Sequence, residues 1–301
     1  MVSLILILIT SLFFMGVVVK TKSLCSGRKG PGLFQPMWDI FRLWKKSTVF
    51  SKETSLIFRI SPVIYITSVL TAILMVPHGG IPGMISFDGD FVMFAYLLAC
   101  GRFMVIISAL DTGSSFEGMG ASREALFSLF AEPAFFVLMG SLAFFTGHTS
   151  FHDLFSTLHY EDNVSYMLGA LATFVFVMIA MIENSRMPVD DPKTHLELTM
   201  IHEVMILDNS GFNLGTILYT TNLKFAMYGA IISNFFIGAL PLSVSIPLFF
   251  AVQFCFAVSA GVIESFMARF RMSHNPQFIL ILTSVSMLIF FGVLMVKGVF
   301  I

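Results

Sequence analysis

Apolar runs separated by short polar breaks fill most of the chain. Crossing a bilayer takes roughly 20 apolar residues. Eight runs reach that length: about 2–19, 54–76, 91–110, 124–146, 164–184, 221–240, 243–266 and 277–298. Glycine, proline or charge punctuates every gap, and the sixth and seventh runs are joined tightly around Pro241. The pattern predicts an all-α integral membrane protein, with eight tilted transmembrane helices in one membrane domain over residues 1–301. The first run has no basic leader and no small-residue cleavage site, so it reads as a retained span rather than a signal peptide.

One segment follows a different pattern. In "QPMWDIFRLWKK", Met37, Ile40, Phe41 and Trp44 recur at helical spacing while Asp39, Arg42 and Lys46 take the other side. Pro36 suits a first helical turn. The expectation is an amphipathic helix at about 35–46, lying in the membrane interface with both tryptophans of the chain as anchors. No soluble domain, low-complexity segment or internal repeat is evident.

Composition agrees with the spans. The 301 residues are 56% hydrophobic and 12% charged, about half the charge of a soluble domain. A net charge of −1 without a dense basic run argues against nucleic acid as a partner. Cys25, Cys100 and Cys255 stand far apart. Neither a disulfide framework nor a zinc, iron–sulfur or nickel site is expected on this chain alone. "HEVMI", from His202, starts like the H-E-x-x-H zinc motif but lacks its second histidine.

Lysine and arginine set the orientation. Residues 20–53 hold Lys20, Lys22, Arg28, Lys29, Arg42, Lys45, Lys46 and Lys52. Arg123, Arg186, Lys193, Lys224, Arg269 and Arg271 lie in or beside the other loops of that side. The opposite side has Lys297 together with Asp88, Asp90, Asp153, Glu161 and Asp162. Fourteen cations against one place 20–53, 111–123, 185–220 and 267–276 in the cytoplasm, with both termini outside.

Ionisable groups at membrane depth are costly and usually mark a path or a partner. Five qualify: Arg59, Arg102, Glu132, Glu183 and Glu264. Arg59 is close enough to the headgroups to snorkel. Arg102 is deeper and requires a paired charge. Glu264 is expected to pair with Arg269 or Arg271. Glu132 precedes Pro133 inside "SLFAEPAFFVL", where a proline frees a carbonyl and bends the helix. A desolvated carboxyl there suits a proton relay.

Charge is densest in "ENSRMPVDDPKTHLELTMIHEV", residues 183–204. Thr194 and Glu197 have capping-box spacing, which predicts a helix start. His195, Thr199, His202 and Glu203 would share one face of it. The rest of that helix is too apolar for water and should pack against something. Carboxylates and histidines linked by water can pass protons, and the same charges could dock a soluble partner. Candidates for a proton path are Glu132, Glu183, Glu197, Glu203, His202, Asp190, Asp191, Arg186, Arg102 and Asp111. Candidates for docking are Arg28, Trp38, Arg42 and His195.

Four stretches carry a resemblance: "GPGLFQPMWDIFRLWKK", "LDTGSSFEGMGASREALFSLFAEP", "ENSRMPVDDPKTHLELTMIHEVMILD" and "GVIESFMARFRM". They closely resemble the membrane subunit shared by formate hydrogenlyase and hydrogenase-4 type complexes. That subunit is similar to the quinone-site membrane subunit of respiratory complex I, the NADH-quinone oxidoreductase. The resemblance covers essentially the whole chain. Glu183, Arg186, Pro188 and Asp190 match the E-x-x-R-x-P-x-D motif of the complex I relative, Glu197 falls on a following carboxylate, and Glu132 ends an S-x-x-x-E stretch. Glu203 belongs to the hydrogenase pattern, and Met187 and Val189 stand where the complex I version usually has Ala and Phe.

The resemblance implies a non-catalytic subunit of a membrane-bound oxidoreductase complex in a bacterial or archaeal cytoplasmic membrane. It would anchor a peripheral arm and link redox chemistry to ion movement. The implied partners are nickel–iron hydrogenase large and small subunits, an iron–sulfur subunit, antiporter-like membrane subunits and membrane lipid. No cofactor is implied on this chain, since the nickel–iron and iron–sulfur centres would sit on the partners. The alternative is a quinone-binding subunit of a complex I-like dehydrogenase, its cavity beneath the amphipathic helix near Arg28, Phe34 and the 185–200 loop.

Overall fold

A computed structural model describes residues 1–158, 163–190, 200–238 and 240–298. These form twelve helices: α1 (Val2–Ser11), α2 (Phe14–Cys25), α3 (Gln35–Trp44), α4 (Leu56–Ile73), α5 (Asp90–Asp111), α6 (Ser115–Thr146), α7 (Phe151–Thr157), α8 (Asn163–Glu183), α9 (His202–Met205), α10 (Gly211–Ile237), α11 (Leu242–Phe266) and α12 (Asn275–Val296). Seven helical segments are long and apolar enough to cross a membrane, with α1 and α2 forming one of them. The chain is a multi-pass membrane protein.

The expected span at 221–240 lies within α10, which is long but is not among those seven. Asn213, Asn222, Lys224, Ser233 and Asn234 lower its hydropathy, and all are buried. Every position from Asn222 to Phe235 is buried. A helix covered on all sides is a core element. Accordingly α10 packs against α1, α3, α4, α8 and α11. Around it, α4 pairs with α5, α6 with α12, and α2 with α11.

The first expected span is two helices. Thr10 and Ser11 hydroxyls donate back to the Ile7 and Leu8 carbonyls at 3.0 and 2.8 Å. Leu12 and Phe13 N–H groups donate to residues three earlier. These bonds compete with the α-helical ladder and interrupt it. By contrast, Pro133 lies inside an unbroken α6.

The four basic loops meet at one end of the bundle. Val49 N–H donates to Ser210 Oγ at 2.9 Å, Ser55 N–H to Asp111 at 2.7 Å, Asp208 N–H to Glu117 at 2.9 Å, and Arg123 to the Met200 carbonyl at 3.0 Å. The other end is tied separately. Phe151 N–H donates to Asp90 at 2.8 Å, and Gly79 N–H to Asn234 at 2.9 Å. That end also holds α7, whose Phe151, Leu154 and Phe155 are buried at helical spacing.

The amphipathic helix α3 forms where the spacing placed it. It lies on α10, with Met37 and Ile40 buried and Trp44 edge-on to Tyr219 at 5.3 Å. Trp38 and Phe41, at 61% and 42% exposure, face outward, so only Trp44 anchors inward. The close approach requires glycine: a Cβ on Gly215 would lie 2.8 Å from the Trp44 ring, and one on Gly211 2.2 Å from the Ser47 carbonyl oxygen. The helix expected to run from Thr194 through Glu203 is not continuous. Residues 191–199 lie outside the described residues, Met200 and Ile201 are non-helical, and α9 is a single turn.

Gly211 also has a φ of +51°. Gly211→Ala should therefore both clash and strain the backbone, costing about 1–3 kcal/mol. A lower unfolding midpoint in detergent, with faster proteolysis around Ser47, is the expected result.

Candidate functional site

The site begins at the end of α8. Ser185 adopts a left-handed φ of 49°. Its N–H donates to the Ile182 carbonyl, and the next N–H, of Arg186, reaches back to the Met181 carbonyl. This Schellman arrangement closes the helix end. It leaves Glu183 on the last helical turn and turns Arg186 back into the bundle.

Buried charges gather around these two residues. Glu183 accepts from Arg102 of α5 and lies 3.1 Å from Lys224 of α10. Arg102 lies 3.8 Å from Glu124 of α6 on its other side. Arg186 donates to Glu264 of α11, contacts the Met15 sulfur, and stacks over Phe225 at 5.3 Å. The second oxygen of Glu264 is 3.6 Å from Lys22.

A third group holds the loop that follows. Asp190 accepts from Arg269 at 2.8 Å and from the His202 N–H at 3.0 Å. Phe270 N–H and the Asn275 side chain donate to the Pro188 and Val189 carbonyls, each at 3.1 Å. Burial pushes the Asp190 carboxyl above its usual range, opposed by the His202 N–H and by Arg269. Burial also pushes His202 down to about 4. His202 is half-exposed in area, but its ring Nε2 is shut off from solvent.

Three cavities lie along these groups and share lining residues. A cavity of about 420 Å³ opens beneath α3, lined by apolar Met15, Val19, Ile40 and Leu218 and by Lys22, Arg186, His202, Glu203 and Glu264. It shares Asn184, His202 and Thr221 with a chamber of about 10 Å³ that also borders Tyr65, Glu124, Glu183 and Lys224. That chamber shares Arg102 and Glu183 with a third, of about 20 Å³, bordered by Glu132 and Tyr228. The two small chambers are of the order needed for one water each.

Most of the predicted path residues come together here. Arg102, Glu132, Glu183, Arg186, His202 and Glu203 line the cavities, and Asp190 sits beside them. Glu132 is half-buried rather than fully desolvated. Asp111 instead receives the Ser55 N–H and joins α4 to α5. Asp191, His195 and Glu197 lie outside the described residues. Glu264 pairs with Arg186 and Lys22, not with Arg269 or Arg271. Arg59 is exposed over the Phe50 ring. Among the docking candidates, Arg28, Trp38 and Arg42 are exposed, with Arg42 3.6 Å from Asp39.

Sequence reasoning missed Lys22, Glu124 and Lys224 as members of the site. Lys22 and Lys224 counted only toward the basic side of the membrane. Among the described residues no group of three metal-ligating side chains is present, and the three cysteines are free and exposed.

A helical membrane bundle with a buried row of ion pairs at one end is thus the class of this protein. The chain belongs to the NADH dehydrogenase family, whose model matches residues 1–295. It is 31% identical over 220 residues to hydrogenase-4 component C of Escherichia coli, covering 73% of this chain and 68% of that one. With formate hydrogenlyase subunit 4 of the same organism it shares 26% identity over 273 residues, covering 87% of each. A subunit of the NADH-quinone oxidoreductase of Rubrobacter xylanophilus is 24% identical over 225 residues, 70% of this chain and 64% of that one. Among solved structures, a chain of the membrane-bound sulfane sulfur reductase, an archaeal respiratory membrane complex, superposes with a TM-score of 0.84. It is 18% identical, with 96% of both chains covered, and it shares this fold.

Two outcomes test the ion pairs. Removing one partner of a buried pair costs about 3–5 kcal/mol, whereas replacing both with apolar residues is often close to neutral. Arg186→Met should therefore destabilise the protein strongly, and Arg186→Met combined with Glu264→Met should recover most of the loss in thermal unfolding.

The second outcome concerns pH. His202 falls from 6.5 to about 4 on folding. Between those values the unfolded chain binds a proton that the folded chain does not, so stability falls as pH drops through that window. His202→Gln should show a smaller loss of midpoint than wild type between about pH 7 and about pH 5. Asp190, raised by burial, acts with the opposite sign, and because it faces His202 the comparison reads the two groups together.

Proposed function

We propose that this chain is the membrane anchor and ion-coupling subunit of a group 4 nickel–iron hydrogenase or formate hydrogenlyase-type complex. The observation that carries the reading is the row of three wall-sharing cavities, from the space beneath α3 through Glu183 to Glu132. Ionisable groups in such a place are expensive to bury and serve as relays or partners. The names of the two Escherichia coli relatives support the kind of complex.

In this reading the basic loops face the cytoplasm, both termini lie outside, and the loops dock the peripheral arm. Nickel–iron and iron–sulfur centres sit on the partner subunits. A redox change in the arm shifts the field or the conformation of residues 185–208. That alters the proton affinity around Glu183 and His202, and protons move laterally toward antiporter-like membrane subunits. Glu197 and Asp191 would extend the same row on the loop.

One observation favours a second reading, quinone binding. The cavity beneath α3 has about 420 Å³ and combines apolar side chains such as Met15, Val19, Ile40 and Leu218 with convergent polar and charged groups, and its volume is that of a small-molecule site.

Glu183→Gln in the purified complex should reduce proton movement per redox turnover in vesicles at least about tenfold. Wild-type proton movement by that variant would sink the coupling role. Mass spectrometry of the gently extracted wild type should find a nickel–iron subunit and antiporter-like subunits. Partners that oxidise NADH, with bound quinone, would favour the second reading.

A further inference from the structure

The row contains one more group able to exchange a proton. Lys224 is 3% exposed on the central helix, and its Nζ lies 3.1 Å from Glu183 Oε2. Arg102 donates to that same oxygen. Tyr65 and His202 border the same chamber, Tyr228 the next one, and Glu124 lies beyond Arg102. Charges therefore alternate from Glu124 to Arg102 to Glu183 to Lys224. Of the four, Arg102 cannot lose its proton in a protein. Glu183 is flanked by two cations. The fourth member, the Lys224 amine, pairs with Glu183 and hydrogen-bonds the Tyr65 side chain beside a space of about 10 Å³.

We propose that Lys224 is the group that carries the exchangeable proton past Glu183. The assignment rests on the ion-coupling reading above. The Lys224 ammonium gives a proton to water in the chamber and becomes a neutral amine, leaving Glu183 matched by Arg102 alone. Uptake of a proton from the side of the large cavity restores the ammonium. No electron moves, and no other bond forms or breaks. Glu183 then acts as the fixed anion that holds the carrier in register, and Arg102 as the permanent countercharge that keeps it ionised.

The discriminating substitutions are Lys224→Arg, which keeps the charge but holds its proton, and Lys224→His, which can carry one. The purified complex, sealed in vesicles, is followed for protons moved per redox turnover. Lys224→Arg should assemble, turn over and move protons at least about tenfold less than wild type, with Lys224→His restoring part of the loss. Wild-type proton movement by Lys224→Arg would overturn the assignment while leaving the coupling reading standing. If Lys224→Arg does not assemble, Lys224→His is compared with Lys224→Met. Transport by the histidine variant alone supports the carrier, and equal transport by both overturns it. A wild-type complex that turns over without moving protons would overturn the coupling reading, and this assignment with it.

Discussion

A carboxylate with two cations on one oxygen, inside a bundle of apolar helices, sets the terms for much of this structure. Glu183 is matched there by Arg102 and Lys224, which reach it from α5 and α10. Each cation in turn needs its helix at one depth and one rotation. An uncompensated charge in such a medium costs several kcal/mol, comparable with much of a domain's net stability. The register of α5, α8 and α10 is therefore coupled at this point, and the Schellman turn after α8 directs Arg186 to a second carboxylate on α11.

The ion pairs also sort the molecule into two halves. One end holds Glu183, Arg186, Asp190, Glu264 and their partners. The other is held by neutral contacts such as His78 with Ser245 at 3.2 Å and Asn234 with the Pro77 carbonyl at 2.9 Å, together with the Asp90 bonds to α7. Buried ion pairs are thus concentrated at one end, and mostly neutral hydrogen bonds hold the other.

Much of this was legible in the sequence because the physics is local. Apolar run length marks spans, helical spacing marks α3, and cations mark the loops that share an end. Glu132, Glu183 and Arg102 stood out as charges in apolar surroundings. Less legible were features that depend on which helices meet. The partner of Glu264 lies 78 positions away in the chain, and nothing local marks Arg186 over Arg269. Lys224 looked like a loop cation because it sits near the start of an apolar run, yet α10 begins a full thirteen residues earlier, at Gly211. The break after Ser11 came from hydroxyl-to-carbonyl bonds, which hydropathy does not register.

The polarity of α10 bears on how the chain is made. A lysine in an inserting helix costs up to roughly 2.5–3.5 kcal/mol, the value at the bilayer centre, and asparagines add to that. Alone, α10 is a poor candidate to leave the translocation machinery for lipid. Its successor α11 is far more apolar and follows after only a short turn at Pro241. The two are thus suited to enter as a hairpin, with α11 carrying its polar neighbour into the bilayer. Lys224 would meet Arg102 and Glu183 on helices already in place, so the earlier part of the chain serves as a solvent for the later part.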